Sequence, residues 1–449
     1  MPALITTRPS VMPSAFPAFL LASQLNDPHD SVIVPFSASA RLMIPVFIAP
    51  SVPFRAPFYT NPRMHKRPTA RTPVRTGTGI DFHGRPREER RLRAGFIGCG
   101  SHSFRNVYPA LQYMPLDLAA ICDLDESKAR AFASRFGACP WYTDHRRMLA
   151  DAALDAVFIV TGYDAKGRPL YPDLAVDSLR AGAHVWMEKP PAAAVRDVDR
   201  MADAARAAGR NVVVGLKKMF APANAKAREL ARSPDFGSIS QASLQYPQYV
   251  PTKSEFERYF RGNAPVGGVV GFLDHLCHPL SVLVALLGRP RTLYFERSRS
   301  GGGVAVFTCA SGAVASLSMT HGASCQAPME RTMITSDRGR HILVENNFKV
   351  SYYKGWSLPY GASPDFYRGT PEQAASVWEP EMSLGQLYNK GLFLLGYYAE
   401  VREFCDSILE GRAPKGGTLE QARIITEIFE AFAKGPGKRI SFGSRGHRG

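Results

Sequence analysis

Between residues 91 and 215, short apolar runs alternate with longer stretches in which apolar positions recur every three or four residues. Short apolar runs are typical of buried strands, and the longer period is typical of helices that bury one face. Strands and helices that alternate at this length predict a doubly wound parallel sheet. The predicted strands are residues 92–98, 117–122, 155–160, 184–187 and 211–214, and the predicted helices are residues 101–114, 127–136, 174–181 and 195–208.

After residue 220 the apolar positions alternate with polar ones, and glycine-containing turns separate the runs. This period of two predicts an α+β region with a largely antiparallel open sheet and helices on one face. Residues 256–260 are rich in charge and aromatic rings, and they are predicted to be a loop that could cover a substrate. The predicted strands are residues 239–249, 292–296, 304–309, 313–320, 331–335, 341–344 and 349–353.

The first ninety residues show no sustained period, because proline interrupts each apolar run. No run there reaches the roughly 20 apolar residues that a membrane span needs. We expect a disordered or non-globular extension, with a targeting or partner-binding tail as the alternative. The predicted organisation is therefore an extension over residues 1–90, a Rossmann domain over 91–215, an α+β domain over 216–442 and a tail over 443–449.

The formal net charge of +16 raises the question of nucleic acid. Half of this excess lies in residues 1–93, which hold 13 of the 55 Lys and Arg residues and only five of the 39 Asp and Glu residues. The rest of the chain is only moderately basic, and it contains no zinc-finger spacing or RNP-like strand. We therefore expect neither a nucleic-acid partner nor a membrane. The seven scattered cysteines, with no CxxC pair, predict reduced thiols in a cytoplasmic protein and no metal site.

A glycine-rich turn follows the first predicted strand. Gly98 and Gly100 flank Cys99, and Ser103 stands where a third glycine is usual. In a strand–turn–helix context this pattern favours a dinucleotide whose pyrophosphate lies at the helix N-terminus. Asp123 ends the second strand, where a carboxylate accepts hydrogen bonds from ribose hydroxyls and repels a 2′-phosphate. The pattern therefore favours NAD, with NADP as the less favoured alternative.

Two further elements carry candidate chemistry. Glu188 and Lys189 directly follow the fourth strand, at the sheet edge where ligands bind in open α/β folds. Asp274 and His278 are four residues apart in a predicted helix, so they share one face. A histidine one turn from an aspartate suits a general base, because its pKa lies near working pH.

Taken together, these motifs resemble the Gfo/Idh/MocA family, that of glucose–fructose oxidoreductase and inositol dehydrogenase. The resemblance covers about residues 91–442 and rests on the glycine turn, Asp123, Glu188-Lys189-Pro190 and the Asp274/His278 pair. It implies hydride transfer between a nicotinamide and a hydroxyl carbon of a sugar, cyclitol or related polyol. It also implies a homo-oligomer, a dimer or tetramer, that forms through the C-terminal sheet.

The resemblance assigns a role to each candidate. His278 would accept the hydroxyl proton, Asp274 would orient the imidazole, and Lys189 would stabilise the developing alkoxide. The chain departs from the family pattern at Gly162-Tyr163 and at Tyr171, which implies a different nicotinamide-side loop. It also departs at Ser281, which implies different substrate contacts. The expected cofactor contacts are Gly98, Gly100, Ser101, His102, Asp123, Thr161, Glu188 and Lys189.

Two alternatives stay open at this point. A glycosidase that uses NAD for transient oxidation needs the same lysine and histidine. A non-catalytic dinucleotide-binding regulator needs neither of them. Lys217 and Lys218, just after the fifth strand, are either contacts for an anionic substrate or solvated side chains.

Overall fold

The structure is a computed structural model, and it describes residues 90–137, 139–326, 329–355, 375–381 and 390–443. All but the last residue of the predicted N-terminal extension and all but the first residue of the predicted tail lie outside these ranges.

A parallel sheet occupies the first part of the described chain. Its strands are ordered β3-β2-β1-β4-β5-β6, and every neighbouring pair is parallel. This is the strand order of a doubly wound dinucleotide-binding fold, in which ligands bind at the carboxyl ends of the strands. The predicted parallel sheet is confirmed. The strands are β1 (Leu92–Ile97), β2 (Leu116–Cys122), β3 (Trp141–Tyr142), β4 (Ala156–Ile159), β5 (His184–Met187) and β6 (Val212–Val214).

Helices cover both faces of this sheet, and their ends follow ordinary capping rules. The Asp125 side chain accepts hydrogen bonds from two backbone N–H groups of the second helix, and Gly209 ends the fifth helix in a left-handed conformation. The helical stretch expected up to about residue 114 is present over residues 101–111, where a π-helical turn, Ser103–Val107, precedes the short α-helix. The helices are α1 (Tyr108–Leu111), α2 (Glu126–Phe136), α3 (His145–Asp151), α4 (Tyr171–Arg180) and α5 (Val195–Ala208).

The second sheet has nine strands in the described part of the chain, in the order β14-β13-β12-β11-β7-β10-β9-β8-β15. Only the β7–β10 pair among them is parallel, so the predicted largely antiparallel sheet is confirmed. The strands are β7 (Ile239–Tyr246), β8 (Pro290–Arg297), β9 (Gly303–Cys309), β10 (Val314–Met319), β11 (Arg331–Ser336), β12 (His341–Glu345), β13 (Lys349–Tyr353), β14 (Ser376–Trp378) and β15 (Ile440–Ser441).

Helices pack on one face of the second sheet. The long helix α8 is apolar enough to pass a length and composition test for a membrane span, but 61% of its most apolar window is buried within the fold. Its side chains join those of α11 and both sheets in one hydrophobic cluster. The helices are α6 (Pro222–Ala231), α7 (Lys253–Arg261), α8 (Gly267–Leu287), α9 (Lys390–Leu394), α10 (Tyr397–Leu409) and α11 (Leu419–Phe432).

The loop predicted at residues 256–260 is wrong, because these residues belong to α7. Thr252 and Glu255 form a reciprocal capping box at its N-terminus. Phe256 and Tyr259 are 1% exposed, and their rings pack against Phe429 of α11. The aromatic residues of this segment therefore anchor a helix instead of covering a substrate.

Helix α10 comes late in the chain but packs on the parallel sheet. Phe404 is fully buried, and its ring lies edge-on to Phe158 of β4 at 5.6 Å between centroids. Val401 and Cys405 join the same cluster. The carboxyl edge of the parallel sheet is thus bordered by α8 and by α10, which comes more than 180 residues after the last strand of that sheet.

Candidate active site

The glycine turn after β1 is locked by backbone contacts. Gly98 has a φ of +105°, and a Cβ at this position would lie 1.9 Å from the Val160 carbonyl oxygen. The Ser103 hydroxyl is buried and donates to the Gly98 carbonyl at 2.8 Å. Only glycine fits at position 98, and the serine at the third motif position stabilises the turn.

Asp123 lies at the carboxyl end of β2 and reaches back to the turn. Its carboxylate accepts hydrogen bonds from the Cys99 N–H at 2.6 Å and the Asp125 N–H at 2.9 Å. The sequence predicted a ribose contact at this carboxylate. The structure adds a second role, since the same group positions the glycine loop.

The residues around this turn suit a dinucleotide. A Cβ at Gly100 would meet no atom within 4 Å, so the backbone there is open to a ligand. The Thr161 hydroxyl follows β4, and it is buried with no hydrogen-bond partner in the described ranges. Ser101 and His102 begin the helical segment after the turn. An open backbone, an unpaired donor and a strand-end carboxylate are the features that a nicotinamide dinucleotide uses.

Glu188 and His102 meet at the carboxyl edge of the sheet. The Glu188 Oε1 lies 2.9 Å from His102 Nε2, and Glu188 is only 3% exposed. Burial raises the pKa of Glu188, but the hydrogen bond and the positive charges of His102, Lys189 and Lys217 outweigh it and lower the pKa. Glu188 is therefore an anion that joins the glycine-loop helix to the end of β5.

A second group of residues extends this network, and sequence reasoning missed most of it. The Lys217 amine donates to the Tyr397 hydroxyl at 2.8 Å, and that hydroxyl lies 3.4 Å from His102 Nε2. Burial lowers the pKa of Lys217. Glu400 of α10 is fully buried, and neither of its carboxylate oxygens has a hydrogen-bond partner among the described residues. Burial together with the charge of Glu188 raises the pKa of Glu400 well above the usual range.

The predicted lysine and aspartate come together. The Lys189 Nζ donates to Asp274 Oδ1 at 2.7 Å, which joins the end of β5 to α8. Burial lowers the pKa of Lys189, but the charges of Asp274 and Glu188 outweigh it and raise the pKa. The peptide bond between Lys189 and Pro190 is cis. Lys189 is thus a protonated amine that is held by one carboxylate and retains two further N–H donors.

Tyr163 is a member of this group that the sequence did not assign. Its hydroxyl donates to Asp274 Oδ1 at 3.0 Å, the same oxygen that accepts from Lys189. Burial raises the pKa of Tyr163, and the charge of Asp274 adds to this effect. The neutral phenol is therefore a fixed donor. It lies in the loop after β4, where the chain departs from the expected family pattern.

His278 lies one turn beyond Asp274 on α8. Burial lowers its pKa well below the usual value, and the charges of Lys189, Lys218 and Lys217 add to this effect. Its ring lies 5.9 Å from the ring of Tyr246. The imidazole is therefore neutral near pH 7, which is the form that accepts a proton.

The expected pairing of Asp274 with His278 is wrong as a hydrogen bond. Within the described residues Asp274 accepts hydrogen bonds from Lys189 and Tyr163 and forms none with His278. The Lys189 amine, which approaches from the end of β5, and the Tyr163 hydroxyl both donate to Asp274 Oδ1. His275 Nε2 lies 3.7 Å from the other Asp274 oxygen, on a side chain that is half exposed.

The contacts of Ser281 and Lys218 bear on two further expectations from the sequence. The Ser281 hydroxyl is fully buried and donates to the His278 carbonyl at 2.8 Å, so it stabilises the helix rather than facing a substrate. Lys218 is buried in an ion pair with Glu330 at 2.7 Å, so it is not a solvated side chain. Within the described ranges, no group of three His, Cys, Asp or Glu side chains is arranged to hold a metal.

The first part of the chain matches a known family model. The model, described as an oxidoreductase family with an NAD-binding Rossmann fold, matches residues 92–216. This range includes the glycine turn, Asp123 and Lys189, and its ends lie close to those of the parallel sheet.

Individual relatives agree with this match. D-xylose 1-dehydrogenase (NADP(+)) 2 of Haloferax volcanii is 29% identical over 204 residues, which are 44% of this chain and 58% of that protein. A dTDP-3,4-didehydro-2,6-dideoxy-alpha-D-glucose 3-reductase of Streptomyces violaceoruber is 28% identical over 200 residues, 44% of this chain and 55% of that protein. The chain thus spans a little more than half the length of these relatives.

Among solved structures, a dehydrogenase from Chromobacterium violaceum superposes with a TM-score of 0.61 at 21% identity. The match covers 77% of this chain and 95% of that one. At this identity the likeness shows the fold, which extends through both sheets.

Proposed function

Because this chain belongs to the Gfo/Idh/MocA family of NAD(P)-binding oxidoreductases, we propose that it transfers a hydride between a nicotinamide cofactor and a hydroxyl carbon of a sugar, cyclitol or related polyol. The observation that carries this proposal is the protonated Lys189 amine held against Asp274 beside a neutral His278. This is the acid–base pair that alcohol oxidation needs. The two relatives named above are a sugar dehydrogenase and a sugar-nucleotide reductase, and neither of them favours the glycosidase or the regulator.

The cofactor would lie along the carboxyl edge of the parallel sheet. Gly98, Gly100, Ser101, His102, Asp123, Thr161, Glu188 and Lys189 would hold it there. When bound, a nicotinamide ring accepts a hydride from carbon or returns one to it.

The protein residues handle the proton and the charge on oxygen. In the oxidising direction His278 accepts the proton of the substrate hydroxyl, because its imidazole is neutral. The two N–H donors of Lys189 that Asp274 does not use stabilise the negative charge that develops on that oxygen. In the reducing direction the same groups act in reverse.

Asp274 acts through Lys189 and is a positioning residue. Its Oδ1 accepts from both Lys189 and Tyr163, so the amine is held between the carboxylate and the substrate oxygen. Tyr163 is a second positioning residue, since its hydroxyl keeps the carboxylate turned toward β5. The position of the amine therefore depends on three side chains from three different segments.

Two further parts of the proposal concern the domain organisation and the cellular location. We propose that residues 91–215 form the cofactor domain and residues 216–442 the substrate domain, with α10 of the second range packed on the sheet of the first. We also propose a cytoplasmic location, which is supported by seven scattered cysteines that include no CxxC pair.

The open face of the second sheet favours self-association. On this face Val304 and Val306 of β9 are 48% and 36% exposed, while the residues between and after them, Ala305 and Phe307, are fully buried. Val306 is paired with Tyr294 of β8, which is 40% exposed. An apolar sheet face of this kind is typical of a protein interface, and we propose that a second copy of this chain covers it in a dimer or tetramer.

Replacing the active-site amine tests the central role. Lys189→Ala is expected to lower kcat by about 10²–10³-fold on whichever polyol or sugar the wild type oxidises, because the oxygen loses its charged donor. The measurement is NADH absorbance, with NAD affinity determined in parallel. The double variant Lys189→Met/Asp274→Asn leaves no unpaired carboxylate, so it separates chemistry from folding. Near-normal turnover in both variants would refute the assignment.

The pH dependence of oxidation tests the base. His278 is active when neutral, and its pKa lies below the ordinary 6.5. The value of kcat/KM should therefore fall only as pH drops below 6.5 and stay level above it. Lys189, with its raised pKa, should stay protonated at least up to its ordinary 10.5. The acid limb should disappear in His278→Gln, and an unchanged limb in that variant would contradict the assignment.

Cofactor choice is tested at Asp123, where we propose NAD in preference to NADP. Asp123→Ala should reduce the ratio of the NADP Kd to the NAD Kd by about tenfold, because it removes both the ribose acceptor and the charge that repels a 2′-phosphate. We compare the ratio of the two Kd values because the loss of the Asp123 contact with Cys99 should weaken the binding of both cofactors equally. A ratio that does not change would remove this account of cofactor choice.

The mass in solution tests the association. Wild type should sediment at a multiple of 49.2 kDa, and Val306→Lys should shift it toward the monomer, because a charge would be buried in the interface. Leu124→Lys is the control, since Leu124 is 89% exposed and lies outside the second sheet. A monomeric wild type, or equal masses for the two variants, would exclude this interface.

A further inference from the structure

A groove lies beside the start of helix α8, apart from the acid–base pair. Its volume is about 900 Å³, and it runs between α7, the connecting residues 262–266 and the first turn of α8. Arg258 and Arg261 of α7 line it, and Gly267 lines it from α8. Nothing in the proposed hydride transfer uses this space.

One face of α8 connects the groove with the catalytic residues. At 100° per residue, Gly267, Gly271, Asp274 and His278 lie within about 60° of each other around the helix. A Cβ at Gly267 or Gly271 would meet no atom within 4 Å, and both glycines are exposed. The helix face is therefore open from Asp274 back to the groove, over a length of about 10 Å.

Two arginines line the groove, and two further cations lie in a loop that contacts α7. Arg258 and Arg261 lie on the polar side of α7, opposite the buried Phe256. Lys166 and Arg168 belong to the loop after β4, and Gly167 between them accepts a hydrogen bond from Tyr259 of α7 at 2.9 Å. Within the described residues, none of the four side chains forms a hydrogen bond or an ion pair with a carboxylate.

The carboxylates nearby are already engaged. Glu255 accepts from the Thr252 N–H and from the Tyr249 hydroxyl. Glu257 lies 3.7 Å from the Lys253 amine. Asp164 accepts from the backbone N–H groups of residues 166 and 168. Counting Lys253, five cations and three carboxylates lie at this end of the face, which leaves a net charge of +2. Guanidinium pairs are the usual ligands of phosphoryl and carboxylate groups.

We propose that the groove binds an anionic group of the substrate, a phosphoryl or carboxylate group about 10 Å from the hydroxyl that reacts. The proposal rests on the proposed function, because hydride transfer at Lys189 and His278 would place the reacting carbon at the end of the α8 face that is remote from the groove. The substrate class then narrows from sugars in general to sugars that carry a negative charge at the end remote from that carbon.

Binding of inorganic pyrophosphate tests the site without any turnover. Isothermal titration is carried out at fixed ionic strength with NAD⁺ saturating, so that the dinucleotide phosphate site is filled. The wild type should bind pyrophosphate saturably, and the double variant Arg258→Gln/Arg261→Gln should bind it at least tenfold more weakly. Both arginines are exposed, so the variant should fold.

A second double variant controls for the loss of net charge. Arg196→Gln/Arg232→Gln removes two exposed arginines that do not line the groove, and it should bind pyrophosphate as the wild type does. Absence of saturable binding to the wild type, equal binding to the groove variant, or an equal loss in both variants would overturn the proposal. Failure of hydride transfer, as read in Lys189→Ala, would leave this binding result unaffected.

Four sugars then identify the source of the negative charge. At least one of glucose 6-phosphate, glucuronate and UDP-glucose should bind more weakly to the groove variant than to the wild type, and the compounds that do so identify the anionic group. Neutral glucose should bind equally well to both proteins. If the ratio of the Kd for the groove variant to the Kd for the wild type is the same for glucose and for all three anionic compounds, the proposal is contradicted.

Discussion

The hydrogen bond between Lys189 and Asp274 is the contact on which the rest of the site depends. It joins the last residues of a strand in the parallel sheet to a helix that packs on the second sheet, and it holds a protonated amine in a largely buried position. A buried ammonium is stable only when it is paired, because desolvation of an isolated charge costs several kcal/mol. The carboxylate therefore keeps Lys189 charged. The same carboxylate also accepts from Tyr163, which limits the positions that it can take.

A second network stabilises the cofactor side of the crevice. This network is a set of side-chain contacts that joins the glycine-loop helix, the end of β5, the turn after β6 and α10. Its members are His102, Glu188, Lys217 and Tyr397. Glu400 lies next to this group with no hydrogen-bond partner in the part of the chain that the structure describes, and its raised pKa makes it a neutral acid. The anionic Glu188 thus lies among protonated or neutral groups, which explains why a carboxylate can be ionised at 3% exposure.

The sequence predicted what depends on local patterns. Gly98 needs a positive φ, and Asp123 ends a buried strand, so both were recognisable from their neighbours alone. Helix α7 was missed although Thr252 and Glu255 have the spacing of a capping box. Tyr163 and α10 could not be predicted, because their contacts are made over long separations in the chain. The bond from Tyr163 to Asp274 spans 111 residues, and no periodicity shows which strand a late helix will cover. The Asp274–His278 pairing failed for the same reason, since a lysine from a distant strand competes for the carboxylate.

The central claim is that Lys189 and His278 act on the same oxygen atom. A crystal structure of the protein with NAD⁺ and a sugar or polyol that it oxidises would test it directly. The account predicts one substrate hydroxyl within about 3 Å of both Lys189 Nζ and a ring nitrogen of His278, with its carbon facing C4 of the nicotinamide. A complex in which either side chain lies away from the reacting hydroxyl would contradict the account.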